Sequence, residues 1–200
     1  MCCRYLLEES PELRPIIEAM NRSPLAGRLF PAASLRSSGE IRPSDVAPVC
    51  APDRKGSLSV FPMKWGFSGS SLIINARSET AASRPMFRDS WNSRRCAVPA
   101  SCYFEWEHRE TPEGRKKAGL KYRLQQDAGL TWLCGLYRLE EGIPHFVILT
   151  REPGERLRFI HDRMPLILPD TAVREWIRPD SKPEDLLPLS LTDMQFRPAV

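Results

Sequence analysis

No apolar run in this sequence approaches the roughly 20 residues that a membrane-spanning helix requires. The segment after the first residues, LLEESPELRP, turns charged almost at once. Neither a bilayer span nor an apolar secretion signal is expected, and a cytoplasmic setting is. Glycine is scarce beside proline, 11 against 19, which predicts many short elements and rigid loops rather than long helices. Histidine is rarer still. The three, at positions 108, 145 and 161, have no partner at metal-ligand spacing, and none of the six cysteines (Cys2, Cys3, Cys50, Cys96, Cys102, Cys134) stands in a Cys-x-x-Cys pair. Spacing therefore predicts no metal site and no cofactor, and the cysteines read as reduced thiols. Internal repeats and low-complexity stretches are also missing.

What is present suits one globular domain over residues 1–200. Hydrophobic residues make up 42% and charged residues 27%, enough for a real core. A net charge of +4 and a pI near 8.8 permit a polyanionic partner without demanding one.

Read in order, Ser10-Pro11-Glu12 marks a helix start with Leu13, Ile16, Ile17 and Met20 on one face, and Pro15 is the other candidate first turn. Residues 31–57 read as loop. Leu58 to Trp65 reads as a strand that Pro62 confines to an edge or bulge, and Leu72-Ile73-Ile74 as a short buried strand. A brief helix follows Asn75-Ala76-Arg77 and stops before Pro85. Strands are expected over 95–99, 102–107 and 121–126, with HRETPEGRKKAGL as an exposed hairpin loop. A further hairpin should turn at Glu141-Gly142. A helix capped by Asp170 or Thr171 buries Val173, Trp176 and Ile177, and the tail after Pro179 is extended. The fold class is α+β, with a curved, mostly antiparallel, barrel-like sheet flanked by short helices.

The N-terminus offers chemistry that no internal residue can. If Met1 is trimmed, Cys2 carries an α-amine and a thiol on adjacent carbons. Such a 1,2-aminothiol condenses with an aldehyde to an imine and closes to a thiazolidine, and both groups titrate within about 2 units of neutrality. Three polar clusters interrupt otherwise apolar strands. Asn75 and Arg77 share one side of an extended segment. Glu105 falls between the aromatics of Tyr103-Phe104-Glu105-Trp106, where desolvation would raise its pKa into a range suited to proton transfer. His161-Asp162-Arg163 adds an imidazole for proton shuttling and a guanidinium that could hold phosphate or pair with Asp162.

Together, MCxRY, WGF, LIINARSET, RCAVPAxxYFEW, FVILT and IHDRMP resemble, in this order, the SRAP family, proteins that shield abasic sites in DNA. The resemblance implies that Cys2 attacks the ring-opened aldehyde of an abasic deoxyribose, with Glu105 as general acid/base. His161 would assist proton transfer and reversal, and Asn75 would orient the N-terminal residue. It further implies that Arg4, Arg77 and Arg163 grip flanking phosphates and that Met86 serves as an apolar wedge. Single-stranded DNA, or a junction lacking a partner strand, is the implied partner of a monomeric, nucleoid-associated protein. Cys3 and Cys102 stand where the family has glycine, and a tryptophan that some relatives insert near the lesion is absent. Two other readings stay open: a thiol peptidase that uses Cys2, and a non-covalent reader of modified DNA.

Overall fold

Residues 2–31, 34–110 and 116–199 are described in the computed structural model. β1 (Arg4–Leu7) alternates half-buried and buried positions, as a strand with one face on a core must. Helices α1 (Arg14–Arg22) and α2 (Pro24–Leu29) follow, each with proline in its first turn, where the missing N–H goes unnoticed. Pro15 therefore starts α1 rather than breaking it. The predicted loop over 31–57 is overturned within the described residues, because it contains β2 (Gly39–Ile41) and β3 (Val46–Pro52). Prolines hid β3. Pro48 lies directly across from Pro62 of β4 (Leu58–Trp65), so each imide is accommodated by a partner that also lacks an N–H.

β5 is Asn75–Arg77 rather than the apolar triplet before it, and Leu72 is exposed. Short α3 (Ser78–Ala81) and α4 (Pro85–Ser93) lead into β6 (Arg95–Ala100), β7 (Cys102–Glu110) and β8 (Lys116–Gln125). The β7–β8 ladder extends into both flanks of the predicted hairpin loop, whose centre lies outside the described residues. β9 (Thr131–Glu140) and β10 (Ile143–Arg151) form the expected hairpin. Its turn residues Glu141 and Gly142 both have positive φ, 50° and 81°, which matches the twist of the strands they join.

β11 (Met164–Pro165), β12 (Ile167–Leu168) and α5 (Asp170–Ile177) follow. Pro169, not Asp170 or Thr171, occupies the α5 cap position. Asp170 instead accepts a 2.9 Å hydrogen bond from the Trp132 indole. The tail is not simply extended: α6 (Pro183–Leu186) and β13 (Gln195–Pro198) fold back, and β13 pairs with β8.

One sheet runs β13-β8-β7-β1-β2. The other closes on itself, β10 to β4, β3, β6, β9 and back to β10, with β5, β11 and β12 attached. Closure requires a close approach at Gly135, where a Cβ would sit 2.7 Å from the Val147 carbonyl oxygen and 3.0 Å from Cys96 Sγ. Buried in the core are Trp65 and Phe146, stacked with ring centroids 6.0 Å apart, together with Val98, Leu133, Leu136 and Val147. Arg95 is wholly buried and donates to the backbone carbonyls of Trp91, Asn92, Trp176, Arg178 and Ser181, tying α4 to α5 and the turn after it. Among the described residues, no helix is long and apolar enough to cross a membrane.

Candidate functional site

β1 pairs with β7 through Arg4↔Phe104, Tyr5↔Tyr103 and Leu6↔Cys102. That register lays the residues just before β1 alongside the YFEW stretch. Cys2 is fully buried, with its thiol 3.7 Å from the Arg4 carbonyl oxygen. Its own carbonyl accepts a 2.9 Å hydrogen bond from Asn75 Nδ2. Asn75 reaches it because β5 adds to β10 in parallel, Ile148↔Asn75 to Thr150↔Arg77. The first three residues after the loop thus become part of the sheet.

Glu105 is 4% exposed, and burial pushes its carboxyl up to about 7. At neutral pH it is close to half protonated, so it can both give and take a proton. His161 Nε2 stands 3.9 Å from Glu105 Oε1. Nδ1 of the same ring meets opposite demands: the Arg163 backbone N–H donates to it at 2.9 Å, while Asp162 Oδ1 lies 2.7 Å away. A neutral ring serves the first by keeping its proton on Nε2, toward Glu105. A doubly protonated ring serves the second. The imidazole is thus supported in both of its protonation states.

The four predicted groups Cys2, Asn75, Glu105 and His161 come together. The chemistry of the thiol differs from the expectation, however. Burial, then the charge of Glu105, push Cys2 well above the ordinary cysteine value, so little thiolate exists at neutral pH. Sulfur attack at this site needs a base to take its proton.

Two residues escaped the sequence reading. Tyr5 and Tyr103 are paired across β1 and β7, and both point inward. Their hydroxyls, with Asn75 Oδ1, are buried side-chain atoms with no hydrogen-bond partner among the described residues. Burial raises both phenols well above their usual range, with Cys2 the next contributor, so they are neutral donors beside the thiol. Tyr-x-Glu alternation could have flagged Tyr103. Tyr103, Glu105, His161 and Arg163 line a narrow cleft with about 10 Å³ of free space, with Leu124, Leu157 and Met164 as its apolar lining.

The residues expected to contact DNA lie in unlike settings. Arg4 donates to the Cys3 carbonyl at 2.7 Å and pairs with Glu40 at 3.2 Å. Arg77 is exposed on β5, opposite Thr150. Arg163 pairs with Glu79, not with Asp162, and also donates to the Thr150 carbonyl at 2.6 Å. Met86 is 40% exposed in the first turn of α4. Of the residues at family glycine positions, Cys3 is half-buried beside Cys2, and Cys102 is buried.

Residues 1–198 match the family described as SOS response associated peptidase (SRAP). The chain belongs to the SRAP family. Among SRAP relatives it is 35% identical over 133 residues to the abasic site processing protein YoaM of Bacillus subtilis, a match covering 62% of this chain and 57% of that one. The abasic site processing protein YedK of Escherichia coli is also 35% identical over 133 residues, 63% of this chain and 58% of that one. The matched segment thus spans somewhat over half the length of these relatives. In fold, the SRAP chain is similar to a phage-related protein of Bordetella bronchiseptica. The two align with a TM-score of 0.72 at 24% identity, over 99% of this chain and 94% of that one.

Proposed function

We propose that this SRAP chain processes abasic sites in DNA by forming a covalent thiazolidine between an unblocked Cys2 and the ring-opened sugar. The observation that carries this reading is the convergence on Cys2 of Asn75, at 2.9 Å from its carbonyl, and of a carboxyl held at about 7, which itself lies 3.9 Å from His161. The names borne by YoaM and YedK support it. It requires prior removal of Met1, a residue outside the described ones.

In this reading, Glu105 first moves the proton that opens the cyclic hemiacetal to the aldehyde. The α-amine of Cys2 adds to C1′, and protonation of the resulting hydroxyl by Glu105 or His161 releases one water and leaves an iminium. The thiol then adds to the same carbon. Its proton passes to the carboxylate, which answers the high thiol pKa, and the C–S bond closes the five-membered ring. The ring nitrogen ends as a secondary amine with no imine left to drive strand cleavage. Run backward, the same proton transfers release the DNA.

Arg4, Arg77 and Arg163 would meet the flanking phosphates without reading sequence, and Met86 would fill the place of an unstacked neighbour. Single-stranded DNA and junctions lacking a partner strand are the proposed substrates of a monomer, since the sugar must reach a buried thiol.

Protein whose Met1 loss has been verified by intact mass, incubated with single-stranded DNA carrying one abasic site, should give a shifted band on a denaturing gel. The adduct mass should equal protein plus oligonucleotide minus one water. Cys2→Ala should abolish the band. If that variant still binds the lesion as tightly as the parent and the parent forms no adduct, the protein is a non-covalent reader.

A further inference from the structure

The three histidines look isolated in sequence, yet the fold joins two of them. A β-bulge between Trp106 and His108 breaks the strict alternation of β7. Such a bulge re-aims the side chains that follow it. The His108 backbone N–H is pinned at 2.9 Å to the carbonyl of Ile160, the residue before His161. The two imidazoles end with ring centroids 3.7 Å apart. Asp162 Oδ1 lies 2.7 Å from His161 Nδ1, so His108, His161 and Asp162 each bring one ligating atom within 4.8 Å of the others.

We propose that His108, His161 and Asp162 form a binding site for a divalent transition-metal ion such as Zn²⁺, and that the bound ion takes His161 away from Glu105. Two imidazoles and one carboxylate are a donor set that borderline ions accept, with the remaining coordination positions left to solvent. Ligand bonds near ~2.0–2.2 Å place tetrahedral donors about 3.3 Å apart, so the three donors need a modest rearrangement, with Asp162 Oδ1 moving out from its 2.7 Å contact with His161 Nδ1 while the wider separations close. Two of them can supply it by side-chain rotation, because His108 is exposed and the Asp162 side chain is 68% exposed. The same exposure gives the ion an entry path. His161, 8% exposed, is the least mobile member, and an ion on its Nδ1 would displace the hydrogen bond that this atom accepts from the Arg163 backbone N–H.

The consequence rests on the function proposed above. An imidazole nitrogen bonded to a metal has no lone pair left for a proton, and the ring can no longer become an imidazolium. Glu105 would lose the neighbour, 3.9 Å away, with which it exchanges protons. The ion would then slow both formation and reversal of the DNA adduct, and a chelator would restore them.

The binding arm needs no DNA. Titration of the Met1-processed protein with Co²⁺ should develop visible d–d absorption without a thiolate charge-transfer band. Zn²⁺ should displace that signal in isothermal titration. His108→Ala and Asp162→Asn should each weaken binding more than about tenfold, while circular dichroism stays that of the parent. A strong near-ultraviolet thiolate band would place the ion on Cys2 or Cys3 and overturn the site, as would equal affinity in His108→Ala. In the second arm, Zn²⁺ should slow adduct formation by the parent but not by His108→Ala, and EDTA should reverse the effect. Equal inhibition of both proteins would refute the effect on His161. A metal-free parent that forms no adduct, while the binding arm succeeds, would sink the function proposed above and leave the metal site standing.

Discussion

Arg163 and Glu79 are joined by two hydrogen bonds of 2.8 Å, one from each terminal nitrogen of the guanidinium to a carboxylate oxygen. This bidentate pair, with only 10% of the Arg163 side chain exposed, sets the terms on which that arginine can meet a phosphate. Under the function proposed above, Glu79 occupies the guanidinium edge that a phosphate oxygen would have to take.

Glu79→Ala is therefore expected to strengthen binding of undamaged single-stranded DNA. It should also steepen the dependence of log K on log salt by about one phosphate contact. Fluorescence anisotropy across a salt series measures both. An unchanged slope would mark Arg163 as a brace for β10 and not a DNA contact.

Glu105 should trade stability for reactivity, with a definite pH sign. Its folded-state pKa is raised from 4.5 to about 7 by burial, so between those values the native state holds the proton more firmly than the unfolded chain. Stability falls as pH rises through that window. Glu105→Gln removes the effect and should gain up to about 3 kcal/mol at pH 8, shrinking toward nothing near pH 4. Urea melts at the two pH values test this. Adduct formation by the same variant should slow by about 10²–10⁴.

Tyr103→Phe removes a buried hydroxyl that has no hydrogen-bond partner among the described residues. Loss of such a group is expected to leave stability unchanged or to raise it by about 1 kcal/mol. A drop of about tenfold or more in the single-turnover rate of adduct formation, at unchanged DNA affinity, would place the phenol in the chemistry. An unchanged rate would assign it to packing alone.

Arg95 predicts the reverse pattern. Arg95→Ala leaves five backbone carbonyls without this donor, those of Trp91 and Trp176 in buried bonds and the other three in part-buried ones, and should cost about 3–5 kcal/mol. The salt slope for DNA should not move. Thermal unfolding and anisotropy, run on one preparation, separate the two effects.

How much of this was legible varied with the physics involved. The β9–β10 hairpin could be read because strand-like apolar runs on either side of a two-residue turn are local signals. β3 could not, because its prolines are tolerated only through a partner, Pro62, that sequence does not announce. Of the site, Glu105 between aromatics was visible, and the family motifs carried Cys2, Asn75 and His161. The high pKa of the Cys2 thiol was not visible, since it depends on burial by residues far away in sequence. Arg95 and Arg163 looked alike as basic residues. Only the fold distinguishes one enclosed by carbonyls from one clasped by Glu79. His108 was hidden by a bulge, a feature of the pairing of two strands and not of either alone.

The complete enclosure of Cys2 bears on what such a nucleophile can be exposed to. Small electrophiles and oxidants diffusing past find its half-buried neighbour Cys3 first. A sulfur without a surface cannot be spent on chance encounters. Under the function proposed above, its partner must be delivered on a polymer that reaches the buried thiol, so selectivity is exercised by admission before any bond is made.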